Sequence, residues 1–165
     1  MASLVDTNVL VYRFDARDPL KQAIADDLLL SGLVGDSLVL PHQAIVEFVA
    51  AVTRPRTDLG GAPLLTQSDA LLEAESLMRQ FPIVYPSPEV LVTALRGVAT
   101  YALSWFDAHL WAYAECLGFD EILSEDFEHG RHYGRVRVTD PFLVAAGKVQ
   151  ELPPLYRARD KEGVI

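Results

Sequence analysis

The sequence is short of sulfur and of positive charge. Cys116 is the single cysteine in 165 residues. No internal disulfide can form, which suits a reducing compartment. Its setting, "WAYAECLGF", reads as a small apolar filler. Lys and Arg number 14 against 23 Asp and Glu, for a formal net charge of −9. That balance argues against a protein that coats nucleic acid through bulk charge. It leaves room for a locally basic rim beside a site. No apolar run approaches the roughly 20 residues a membrane span needs. The first residues carry no basic leader, and Asp6 interrupts the first apolar stretch. The expectation is a soluble, cytoplasmic protein with no membrane partner. No G-x-G-x-x-G or Walker-type loop occurs, which weakens a nucleotide-binding reading. There is no internal repeat and no low-complexity linker.

What is present reads as one globular domain. Half of the residues are apolar and 22% are charged, and the length can bury a full core. "ASLVD" predicts a short buried strand and "TNVLVYRFD" a short helix. "PLKQAIADDLLLSG" opens with proline and closes with Gly32, a helix start and stop. "SLVL" predicts a strand, and "PHQAIVEFVAAVTR" has its apolar residues at helical spacing. Helices follow over "TQSDALLEAESLMRQF", "SPEVLVTALRGVATYA" and "SWFDAHLWAYAECLG". Strands are expected at "PIVYPS", "DEILS" and "RVRVTD". Strands alternating with helices predict an α/β fold with a mostly parallel sheet covered on both faces. Residues 1–142 are expected to form the domain. Residues 143–165, with two prolines and mixed charge, read as an irregular or partner-contacting tail.

The acidic residues carry the chemistry. "LSEDFEHG" places Glu125, Asp126 and Glu128 within four positions at the end of a strand. Carboxylates this close repel, most strongly where water is scarce, and need solvent or a cation to offset them. Ligands of parallel sheets gather at the carboxyl ends of strands, where Asp6 and Asp126 both fall. Taken alone, Asp6 reads as a helix N-cap. Glu47 lies at the flank of an apolar stripe, where it either reaches water, pairs with Arg54, or serves a site. Ser104 and Asp107 fit a capping box. Capping does not explain why that acid is flanked by Trp105, Phe106 and Trp111. Together, Asp6, Glu47, Asp107 and Asp126 supply one acid from each of four elements. Convergent acidic oxygens are what Mg²⁺ or Mn²⁺ takes.

Four stretches, "LVDTNVLVY", "IVEF", "SWFDAHLWAYAECLG" and "ILSEDFEHGRHYGRVRVTDPF", give the sequence a family resemblance over roughly residues 3–142. It resembles the PIN-domain family and, within it, the VapC-type toxins of bacterial toxin–antitoxin pairs. The resemblance implies a three-layer α/β/α fold and a divalent-metal (Mg²⁺ or Mn²⁺) ribonuclease that cuts RNA with a metal-activated water. It also implies inhibition by a VapB-like antitoxin and a homodimer. Carried over by motif, Asp6, Glu47, Asp107 and Asp126 match the family's catalytic, metal-holding acids. Thr7, Asn8 and Ser124 match its supporting polar residues. Glu125 and Glu128 are expected as solvated neighbours of Asp126, with Glu125 able to reach a metal through water.

Arg13, Arg54, Arg56, Arg131 and Arg135 are candidate holders of the RNA backbone, each able equally to sit in a surface ion pair. Two positions depart from the family pattern. Asp140 in "TDPF" replaces an amide and is expected to shape a turn. His109 stands where an apolar residue is ordinary and is expected as a satisfied histidine. Besides the nucleotide-binding reading, three rivals stand. A non-catalytic PIN-like RNA- or protein-binding module is expected to have lost one of the acids, and all four are kept. A phosphatase with Asp6 as nucleophile is disfavoured by Asn8 two residues on. A zinc site at His129 and His132 lacks a clear third ligand.

Overall fold

The computed structural model describes residues 2–150. Six strands form one sheet: β1 (Ser3–Val5), β2 (Leu38–Pro41), β3 (Ile83–Val84), β4 (Glu121–Leu123), β5 (His132–Tyr133) and β6 (Val136–Thr139). Their spatial order is β3-β2-β1-β4-β6-β5. All neighbouring pairs are parallel except β5 with β6, which is antiparallel. β1 is central, with Leu4 opposite Ile122 and Val5 opposite Leu123. β1 and β4 therefore end side by side. The chain leaving β1 is tied there by Asp6 N–H donating to the Leu123 carbonyl at 3.0 Å.

Period-two alternation along the strands separates two cores. Val5, Leu38, Leu40 and Leu123 face one side, and Leu4, Val39 and Ile122 the other. The first core is covered by α1 (Thr7–Tyr12), α2 (Pro19–Gly35), α3 (His42–Val52) and α4 (Gln67–Gln80), with Phe142 of α7 (Pro141–Gln150). The second is covered by α5 (Pro88–Tyr101) and α6 (Trp105–Leu117). The result is a mostly parallel sheet covered on both faces, as the alternation of elements predicts, in the three-layer α/β/α arrangement that the family resemblance implies.

Three details correct the sequence reading. α2 does not stop at Gly32 but runs to Gly35, and Asp36 closes it in the left-handed region at φ 48°. Gly32 is a packing glycine: a Cβ there would lie 2.1 Å from Leu38 Cδ1. β5 was not foreseen, because two residues carry too little periodicity to register. Finally, the chain remains helical beyond residue 142, through α7 to Gln150. Asp140 explains that start, since its Oδ1 accepts from the N–H groups of Phe142 (2.8 Å) and Leu143 (3.2 Å). The turn-shaping role expected of Asp140 is this helix cap. The rest of the expected tail, 151–165, lies outside the described residues. Among the described residues, no helix is long and apolar enough to cross a membrane.

Candidate active site

The ends of β1 and β4 bring the first two acids together. Asp6 is buried and caps α1, accepting from the Thr7 N–H at 2.6 Å. Its other oxygen accepts from the Ser124 hydroxyl and from Asn8 Nδ2, the latter at 3.0 Å. The same Asn8 amide lies 3.2 Å from Asp126 Oδ2 and 3.2 Å from Ser124 Oγ. Ser124 in turn accepts from the Asp126 N–H at 3.1 Å. Asn8 and Ser124 thus stand between two carboxylates and fix their separation. Thr7 donates its hydroxyl to Glu47 at 3.2 Å. All three expected supporting residues hold an acid.

The other two acids arrive on helices. Glu47 projects from α3, where Gln43, one turn earlier, donates its amide to Glu47 Oε1 at 2.7 Å. The alternative pairing of Glu47 with Arg54 is not what the structure shows. Gln43 was not foreseen, although its i,i+4 spacing from Glu47 is the signal that could have found it. Gln43 Nε2 also donates to the Phe106 carbonyl at 3.1 Å, so its oxygen faces His109 Nδ1 at 3.0 Å. His109 is satisfied, as expected, and also buttresses the site through Gln43. Asp107 sits in the first turn of α6, its N–H bonded to Ser104 Oγ at 3.2 Å. The capping contacts expected at Asp6 and at the Ser104–Asp107 pair are thus both present.

Asp6, Glu47, Asp107 and Asp126 line one cavity of about 370 Å³, with Asn8 and Arg54 also on its wall. Burial, with crowding added to it, shows in the acidity of Asp6 and Asp107. Burial pushes Asp6 up to about 7; the Ser124 and Thr7 hydrogen bonds oppose this, while Asp126 and Glu47 add to it. Asp107 is also raised, mainly by burial, with Ser104 opposing and Asp126 adding. A cation would relieve both. The donor set is all oxygen, which suits a hard divalent ion. Among the described residues no three Asp, Glu, His or Cys side chains stand close enough to hold one ion between them. The arrangement fits an ion that keeps most of its waters and takes one or two carboxylates directly. Asn8 turns its Nδ2 to the acids and leaves Oδ1 buried without a hydrogen-bond partner.

Other residues singled out by sequence lie elsewhere. Glu125 turns away to an ion pair with Lys21, whose ammonium also bonds the Tyr12 hydroxyl at 2.9 Å. Glu128 pairs with Arg131 at 2.9 Å, and Arg13 with Asp26 at 3.0 Å. Arg135 donates to the Glu115 carbonyl at 2.8 Å. Arg54 lines the acid cavity, and Arg56 lines a neighbouring one that shares Asn8 with it. His129 Nδ1 accepts from the Asp140 N–H at 3.0 Å, and His132 lies exposed in β5.

Comparison with known proteins is consistent with this architecture. No curated protein matches the sequence. Among solved structures, the VapC20 toxin of Mycobacterium tuberculosis, described as cleaving the sarcin-ricin loop, matches with a TM-score of 0.52 at 15% identity. The match covers 82% of this chain and 99% of that one. At that identity it speaks for the fold alone. The PIN domain family matches residues 3–135, most of the chain. This protein belongs to the PIN-domain family.

Proposed function

We propose that this protein is a divalent-metal-dependent endoribonuclease acting as the toxin of a toxin–antitoxin pair. The observation that carries the reading is the convergence of four carboxylates, from four separate elements, on one cavity. Family membership and the fold shared with an RNA-cleaving toxin support it. Asp6, Asp126, Asp107 and Glu47 would hold Mg²⁺ or Mn²⁺, one or two of them directly and the others through its waters. The bound ion would supply Lewis acidity, acidifying water and drawing charge from a phosphate oxygen.

The chain's own groups do the rest. Asn8 and Ser124 hold Asp6 and Asp126 apart, and Gln43 and Thr7 clamp Glu47 from both of its oxygens. Such fixed carboxylates need no reorganisation when charge develops. Arg54, on the cavity wall, can meet the phosphate that brings charge into an acidic site. A single-stranded RNA loop is the favoured substrate, since its phosphates and bases can enter a groove. A VapB-like antitoxin would inhibit by inserting a cationic side chain among the acids, and the working form would be a homodimer.

That no three-ligand cluster occurs among the described residues favours, as a second reading, a non-catalytic PIN-like module that binds RNA or protein. Purified protein incubated with structured RNAs in Mg²⁺, Mn²⁺ or chelator separates the two. Metal-dependent cuts at defined sites support the nuclease. Binding without cleavage under either metal supports the module.

A further inference from the structure

Beside the acid cavity lies a second one, of about 270 Å³, lined by Asn8, Tyr12, Asp15, Arg17, Arg56 and Glu125. Asn8 borders both cavities. Most charges in the second are already matched. Arg17 is held by Asp15 and Asp58, and Glu125 by Lys21. Arg56 is the exception. Among the described residues its guanidinium makes no hydrogen bond or ion pair, and its Nε is buried without a partner. Its charge acts on Asp15 only at a distance. An arginine held this way keeps its donors for an incoming anion.

The backbone makes Arg56 a fixed support. It is extended at φ −120°, ψ 126°. Its N–H donates to the Ala62 carbonyl at 3.1 Å, and its carbonyl accepts from Leu59 (3.1 Å) and Gly61 (2.9 Å). Pro55 stiffens the link to Arg54 and favours an extended Arg54. Two residues of extended chain advance about 6.6 Å, on the scale of one nucleotide of stretched backbone. Arg54 faces the acid cavity and Arg56 the next one.

We propose that Arg56 binds the RNA phosphate adjacent to the one at the acids, in the cavity on the far side of Asn8. The inference rests on the ribonuclease reading for the identity of the strand. It makes "RPR" a rail that sets the register of the RNA, with Arg54 and Arg56 meeting successive phosphates.

The test uses full-length protein and a short fluorescent single-stranded RNA, titrated in chelator at several salt concentrations. Arg56→Gln is expected to weaken binding roughly tenfold. It should flatten the salt dependence by about 0.7 in log–log slope. In cleavage assays it should raise KM and leave kcat unchanged. Arg79→Gln, a surface change on α4, should alter none of these. On wild-type protein, a scan of single uncharged methylphosphonate linkages around the cut should show a KM penalty at the neighbouring linkage. That arm stands even where Arg56→Gln does not fold.

Cleavage that continues with unchanged affinity, salt slope and linkage profile overturns the subsite and leaves the nuclease reading intact. Binding that depends on Arg56, with no cleavage under Mg²⁺ or Mn²⁺, supports the subsite and overturns the nuclease reading.

Discussion

Gln43 donates its side-chain amide to Glu47 at 2.7 Å across one turn of α3, and its oxygen faces His109 at 3.0 Å. The chain of contacts ties the acid on α3 to the helix that carries Asp107. Gln43→Ala should leave the fold intact, because the residue is only partly buried. It should reduce RNA cleavage by about 10- to 100-fold, the usual loss when a group orienting a metal-binding carboxylate is removed. Single-turnover cleavage beside a melting curve checks this. Unchanged cleavage would mean that Glu47 needs no clamp.

Burial first, and repulsion from Asp126 after it, push the pKa values of both Asp6 and Asp107 up. Asp126→Asn removes that charge while keeping an oxygen to accept from Asn8. In chelator at pH 8 the variant should melt higher than wild type, and its cleavage should be lost. Active sites that hold like charges together commonly trade stability in this way. A lower melting temperature would show that the Asp126 charge helps the metal-free fold.

Asp6 sets the sign of the pH dependence. Its folded value of about 7 exceeds the ordinary aspartate value of 3.8, so the fold favours the protonated acid. That contribution is complete below about pH 4 and is lost as pH rises through about 7. Asp107 shifts in the same direction. A divalent ion competes with these protons. Mg²⁺ or Mn²⁺ should therefore raise the melting temperature clearly at pH 8 and hardly at pH 5, as calorimetry can measure. An equal shift at both values would place the ion away from Asp6.

Gly97 lets α5 close on α6. A Cβ there would lie 2.7 Å from the Trp111 ring, which is anchored by its indole N–H bond to the Tyr133 carbonyl at 2.9 Å. A ring held at its edge cannot move aside cheaply. Gly97→Ala should destabilise the protein by about 1–3 kcal/mol through overpacking, read from denaturant unfolding. A stabilised variant would indicate that the helices have slack.

Local chemistry made much of this molecule legible in the sequence. Asp6 looked like a helix cap because it caps α1, Asp107 looked like the partner of a Ser104 cap because its N–H is bonded to Ser104, and both acids also line the cavity. Asp126 was visible from repulsion in "SED", but the fate of Glu125 was not. Lys21, far away in sequence, draws it into an ion pair, and no local pattern encodes that partner. Gln43 escaped notice because a glutamine on a helix is ordinary until its neighbour is a site acid. Gly32 looked like a helix stop because its role is set by Leu38 across the layer interface. The five arginines were indistinguishable in sequence. Their partners separate them, leaving Arg54 in the acid cavity and Arg56 in the cavity next to it.

The central claim is that the four acids act as one metal-dependent site for RNA. Asp107→Asn tests it most directly, since it keeps the Ser104 cap and removes a single charge. Cleavage of a structured RNA panel in Mg²⁺ and Mn²⁺, by variant and wild type of matched melting behaviour, is the measurement. The account predicts defined cuts by wild type, abolished by chelator and absent in Asp107→Asn. Full cleavage by the variant, or wild-type cleavage that persists in chelator, would contradict it.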